Sequence, residues 1–191
     1  MADAKTNFGQ LPENLPAPVD DGACRHLTGM QVPSLSLQST AGRSLNLAEI
    51  QAPTTVVYCY PMTGKPGEPL PSSWDTIPGA RGCTPETCGF RDYYRELKGL
   101  GAEVFGVSTQ TTEDQREMVE RLHVPFEVLS DNGLAFTRAL NLPTFEIQGR
   151  IFIKRLTLIA RQGRIAHVFY PIFPPNAHAD EVFSWLSRNP V

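Results

Sequence analysis

The sequence predicts an α/β protein with a mixed central sheet flanked by helices. Three observations carry this: strand and helix patterns alternate along the chain, one strand is apolar throughout, and a hairpin follows late. The apolar run is Thr54-Thr55-Val56-Val57-Tyr58-Cys59-Tyr60, rich in β-branched and aromatic residues, as suits a strand covered on both faces. At 191 residues the chain fits one domain large enough to bury a real core.

Residues 1–30 carry many prolines and charges with little periodicity. They are expected to form an arm draped on the domain or partly disordered, with the domain itself over residues 31–191. Residues 34–38 alternate, turn at Ala41-Gly42 and continue through Leu45 and Leu47, as a short hairpin does. After the apolar strand comes an inserted stretch, residues 62–81, with Pro66, Pro69, Pro71 and Pro78 among Gly64, Gly67 and Gly79. A loop that long inside a domain is usually functional or mobile, and this one ends at Cys83. A helix is predicted over 85–99, with Pro85 in its first turn, Thr84 as cap, Phe90, Tyr94 and Leu97 on one face, and Gly99 at its end. A strand at 103–107, a helix at 113–122, a strand at 126–129 and a helix at 133–140 follow. Residues 154–160 and 165–170 pair around Gln162-Gly163, and a last helix covers about 179–186.

The formal net charge of −3, with 17 Lys and Arg scattered along the chain, argues against nucleic acid and anionic membrane as partners. Residues 1–10 are polar and lack the apolar core of a secretory signal, and no apolar stretch is long enough to span a bilayer. A cytoplasmic location is therefore expected. Four irregularly placed cysteines do not make a secreted disulfide framework, and with no C-x2-C motif a structural zinc site is excluded. Cys59 reads as a core thiol and Cys24 as a spectator in a polar segment.

The remaining pair, Cys83 and Cys88, stands at the mouth of the helix over 85–99. Unpaired N–H groups and the positive end of the helix dipole favour a thiolate there, which makes Cys83 a candidate nucleophile. Lowering a thiol from about 8.5 to about 6 requires roughly 3 kcal/mol, more than the ~2 kcal/mol a helix terminus supplies, so a cation is needed. Arg155, just before an apolar strand, is the candidate; the alternative is a solvated strand end. Arg91 reads as a surface partner of Asp92 or Glu96. On an intact helix the Cα atoms of residues 83 and 88 stand about 8 to 9 Å apart. A disulfide needs about 4.4 to 6.8 Å, so the two can bond only if the first turn unwinds.

The run Gly82-Cys83-Thr84-Pro85-Glu86-Thr87-Cys88-Gly89-Phe90-Arg91-Asp92 resembles the signature of the peroxiredoxins, most closely the bacterioferritin comigratory protein or peroxiredoxin Q branch. The resemblance continues through residues 101–108, 129–131, 154–159 and 163–169 and covers roughly residues 30–188. It implies a thioredoxin-like fold and a thiol-dependent peroxidase acting on hydrogen peroxide and organic hydroperoxides. It further implies Cys83 as peroxidatic cysteine, Cys88 as resolving cysteine, and Arg155 as the arginine that stabilises the thiolate and polarises the peroxide. Glu86 matches an acidic residue that orients the arginine; otherwise it is an ordinary first-turn acid. No metal or organic cofactor is implied, the reductant is thioredoxin or a similar dithiol, and the chain is expected as a monomer or weak homodimer. The family's hydroxyl three residues before the peroxidatic cysteine is absent, because that position is Ala80. Thr63, beside the matching Tyr60-Pro61, is the first candidate to replace it, with Thr76 and Thr84 after it. The competing readings are a thioredoxin-like disulfide oxidoreductase, which usually carries C-x-x-C, and a redox sensor without efficient turnover.

Overall fold

The computed structural model describes residues 8–191, so residues 1–7 of the polar stretch above lie outside it. Among the described residues, seven strands form one mixed sheet in the order β2-β1-β5-β4-β3-β8-β9. These are β1 (Ser36–Ser39), β2 (Ser44–Asn46), β3 (Thr54–Cys59), β4 (Ala102–Ser108), β5 (Val128–Ser130), β8 (Leu156–Arg161) and β9 (Arg164–Phe169). Strands β3, β4 and β5 run parallel, while β8 lies antiparallel against the other edge of β3. Helices α1 (Cys83–Asp92), α2 (Tyr94–Gly99), α3 (Thr112–Leu122), α4 (Ala135–Leu140) and α5 (His178–Arg188) complete the fold.

The continuous apolar run of β3 is explained by two cores, one on each face of the sheet. Val57 and Cys59 face a cluster with Phe105, Val107, Leu129, Phe136 and Leu158. Val56 and Tyr58 face the opposite cluster, where Phe90 of α1, Leu97 of α2, Met118 of α3 and Val182 of α5 cover the sheet. Cys59 is fully buried, as expected of a core thiol. Cys24 is buried too: with Leu27 it belongs to the first core, and burial pushes its thiol up to about 12. Polar neighbours in sequence gave no sign of this.

Several boundaries shift by one or two residues from the sequence reading, and two of the differences bear on the site. The helix expected over 85–99 starts two residues earlier, at Cys83, and its N-cap is Gly82 rather than Thr84. Gly82 has φ 104°, a left-handed conformation that glycine adopts without steric cost, and this turns the loop directly into the helix. The helix also breaks at Tyr93 (φ −88°, ψ 1°), which separates α1 from α2.

One element was missed altogether. Residues β6 (Thr144–Ile147) and β7 (Arg150–Ile153) form a separate antiparallel hairpin. Its two-residue turn, Gln148-Gly149, has φ 50° and 74°, the positive pair that a tight hairpin demands. The hairpin gives the inserted loop something to fold on. Phe152 and Phe145 pack their rings against Trp74, with centroids at 5.1 and 5.7 Å, and Ala80 completes this third small core. Trp74 is therefore the central apolar anchor of the proline-rich insertion, with Met62, Leu70 and Ile77 packed alongside.

Trp74→Ala should strip that anchor. Large aromatic truncations in a core cost about 3 to 5 kcal/mol, so local opening of residues 62–81 should become at least ~100-fold easier. Hydrogen exchange checks this: faster exchange confined to the loop is expected, and equal loss of protection in β3 and β4 would refute the loop-specific anchor.

Candidate active site

Sheet register brings the site together. Leu156, the first residue of β8, is paired with Cys59, the last residue of β3. Arg155 therefore enters the sheet at the carboxyl end of β3, the edge where α/β proteins gather ligands. The insertion leaves from that same edge and returns to it at Cys83, the first residue of α1.

Three of the residues singled out from sequence meet here. The Arg155 guanidinium donates through Nη2 to Cys83 Sγ at 3.1 Å. Its Nη1 donates to Glu86 Oε2 in an ion pair whose side chains are 1% and 0% exposed. Nη2 also donates to the carbonyls of Arg81 (3.1 Å) and Ala80 (3.4 Å), and the Cys83 thiol points at the Ala80 carbonyl at 3.6 Å. These carbonyl contacts could not be read from sequence, because they depend on loop conformation and not on side-chain type.

Electrostatically, one buried cation faces two acids. Burial pushes the Cys83 thiol above its ordinary range; Arg155 and a backbone N–H of Met62 pull it down, and Glu86 adds to the rise. Burial likewise raises the Glu86 carboxyl, against the pull of Arg155 and His178. The two acids compete for the same guanidinium, so their titrations are coupled. Sequence reasoning saw the helix terminus and the cation but not the desolvation, the largest influence on this thiol. His178, also missed, is buried, with Nε2 2.9 Å from Thr157 Oγ1 and Nδ1 3.0 Å from Glu181 Oε2.

The other candidates are placed differently. Cys88 is half-buried on α1 and its thiol is raised by burial, with Arg91 opposing. Both cysteines are free thiols on a continuous helix. Arg91 pairs with Asp92 at 2.8 Å, as expected, and its Nη1 also donates to the Leu122 carbonyl at 2.9 Å, a part-buried link from α1 to α3 that the sequence reading did not include. Thr63 is buried, and both its N–H (2.9 Å) and its hydroxyl (3.2 Å) donate to Gln110 Oε1. Thr76 donates to the Ser73 carbonyl in an exposed turn. Of the three hydroxyls, Thr84 is the one lining the small cavity at Cys83. The Ala80 methyl is buried with Trp74 and Phe152, an apolar setting in which a hydroxyl would need a partner.

A buried thiol at a helix start, in contact with an arginine at the carboxyl edge of a thioredoxin-like sheet, defines a thiol-redox enzyme. The chain belongs to the Redoxin family, whose model matches residues 27–183, and within it to the peroxiredoxins of the peroxiredoxin Q and bacterioferritin comigratory protein type. It is similar to the chloroplastic peroxiredoxin Q of Gentiana triflora, 26% identical over 92% of this chain and 76% of the relative. The Sedum lineare peroxiredoxin Q is 28% identical over 83% of this chain and 76% of its own length. Among solved structures, peroxidoxin BcpB from Mycobacterium tuberculosis shares the fold with TM-score 0.69 and 24% identity, over 85% of this chain and 98% of that one. Xanthomonas campestris peroxiredoxin Q does so with TM-score 0.65 and 23% identity, over 83% and 96%.

The coupling gives opposite signs for two substitutions. Glu86→Gln removes the charge that competes for Arg155, so the Cys83 thiol should titrate lower. Arg155→Gln removes the cation, so it should titrate higher, by about one to three pH units. The pH dependence of Cys83 alkylation by iodoacetamide, followed on the Cys83 peptide, measures both; shifts of the same sign would contradict the shared-cation arrangement.

Proposed function

We propose that Cys83 is the peroxidatic nucleophile, Cys88 its resolving partner, and Arg155 the residue that stabilises both the thiolate and the charge leaving the peroxide. The 3.1 Å contact between Arg155 Nη2 and Cys83 Sγ carries this reading. Glu86 positions Arg155 through the buried ion pair.

The Cys83 thiolate attacks the terminal oxygen of a hydroperoxide; a sulfur–oxygen bond forms, the oxygen–oxygen bond breaks, and hydroxide or alkoxide leaves. Arg155 and the free N–H groups of the first helical turn stabilise the departing oxygen. Only Cys83 and Thr84 supply such N–H groups near the thiol, because Pro85 has none. Thr84 also replaces the hydroxyl missing at Ala80, since Thr63 is committed to Gln110. The sulfenic acid then condenses with the Cys88 thiol, releasing water, and an external dithiol of thioredoxin type reduces the disulfide.

Closing that disulfide requires the first turn of α1 to unwind. Few hydrogen bonds resist this: the first i→i−4 bond of the helix runs from Glu86 N–H to the Gly82 carbonyl at 3.1 Å. Among the described residues the large exposed apolar ones, Val19, Leu100, Ile151, Phe173 and Val191, are few and come from separate segments of the chain, which supports a monomer or weak homodimer. Among the described residues no helix is long and apolar enough to cross a membrane. A reducing, cytoplasmic setting suits four free thiols. Residues 31–191 form the peroxidase domain in this reading, with 1–30 as its arm.

Peroxide consumption coupled to a thioredoxin system tests the assignment. Cys83→Ser should abolish turnover, and Cys88→Ser should retain one turnover per chain but lose recycling. Arg155→Gln should lower kcat/KM by about 100-fold or more, the loss typical of removing one stabilising donor. Sustained peroxidase activity in Cys83→Ser would sink the assignment.

A further inference from the structure

The arm is folded over the thiol. The Phe8 ring lies so close to Gly64 that a Cβ there would fall 2.3 Å from Phe8 Cε1, and the Arg81 guanidinium sits 5.7 Å from the ring centroid. Arg81 is itself held by Asp75 at 3.0 Å. Leu11 packs next to it: a Cβ on Gly82 would stand 2.9 Å from Leu11 Cδ2. Further along, Asp21 fastens the arm to Lys154 Nζ and to the Tyr170 hydroxyl, both at 2.9 Å.

We propose that Phe8 determines the size of hydroperoxide that reaches Cys83, a role that rests on the peroxidase reading above. Cys83 and Thr84 open on a cavity of about 10 Å³ whose walls include Phe8, Met62, Leu70 and Trp74. A single water needs about 10 to 15 Å³. With the ring seated, the space beside the thiol accepts a group the size of a water molecule and leaves no room there for the tail of an alkyl hydroperoxide. Of the walls, Trp74 is fixed in the third core and Met62 and Leu70 pack against that core, whereas Phe8 belongs to the arm and rests on the backbone of Gly64. A cavity of about 330 Å³ lies next door and shares Met62, Gly64 and Leu70 with the small one. The ring sits on Gly64, which lines both, so shortening it opens the thiol toward the larger space, whose near wall is Met62, Leu70, Pro69 and Pro71.

The full chain and its Phe8→Ala and Phe8→Leu variants, assayed with hydrogen peroxide and with cumene hydroperoxide, test this. The ratio of kcat/KM for cumene hydroperoxide over hydrogen peroxide should rise about tenfold or more in Phe8→Ala, in line with what removing a pocket wall does to discrimination by size, and less in Phe8→Leu. A second readout does not need turnover: the rate of Cys83 modification by N-phenylmaleimide relative to iodoacetamide, measured on the Cys83 peptide, should rise in the same order. Unchanged ratios in both measurements would overturn the role of Phe8. If the modification ratio rises but no chain consumes either peroxide, the size gate stands and the peroxidase reading falls.

Discussion

The structure depends on one buried cation. Arg155 is 3% exposed, and an isolated guanidinium so far from water would be unfavourable by several kcal/mol. It is tolerated because Glu86, Cys83 and the carbonyls of Ala80 and Arg81 surround it. Those groups come from the insertion and from the first turn of α1, which are thereby tied to the start of β8. The demands of charge burial and of chemistry coincide: the arrangement that stabilises Arg155 also aims it at the sulfur. Glu86 has a double effect, since it holds the guanidinium in place and competes with the thiolate for its charge.

This requirement accounts for the alanine at position 80. Ala80 contributes its carbonyl to Arg155 while its methyl faces Trp74 and Phe152, so backbone serves the charged side and side chain the apolar side. A hydroxyl at that position would enter the small aromatic core unpartnered. The departure from the family pattern is therefore accompanied by a local core of its own, built from Trp74 of the insertion and the hairpin of β6 and β7.

The sheet was legible because its signals are local. A run apolar on every residue announces a strand with two covered faces, and β3 has cores on both sides. The β6–β7 hairpin was missed because its signals are weak: Gln148-Gly149 is a poorer turn signal than Asn-Gly, and Ile151-Phe152-Ile153 breaks the alternation that Phe145 and Ile147 begin. In the site, Cys83 could be named from its place at a helix start, whereas Arg155 stood level with a solvated strand end until the family resemblance favoured it. What surrounds them could not be named. Desolvation of the thiol, the fastening of Thr63 to Gln110 and the seating of Phe8 on Gly64 join residues 47 to 56 positions apart or more, and nothing local in the chain encodes such distances.

The same packing that desolvates Cys83 also sets the terms on which it can leave. Gly82, at the hinge of the first turn, is wedged under Pro175 and Leu11, with virtual Cβ distances of 2.3 and 2.9 Å. Helical hydrogen bonds hold this turn weakly, since Pro85 has no N–H and the N–H groups of Cys83 and Thr84 precede the first i→i−4 bond. What holds it is contact with its cover and the charge of Arg155. In the proposed cycle, a thiolate binds that charge and a neutral sulfenic acid does not, so oxidation weakens one of the two restraints at the moment the turn must open. The other restraint, the steric one, is unaffected by oxidation. It falls on Leu11 in the arm and Pro175 ahead of α5, which makes segments far from the cysteines in sequence part of the barrier between attack and resolution.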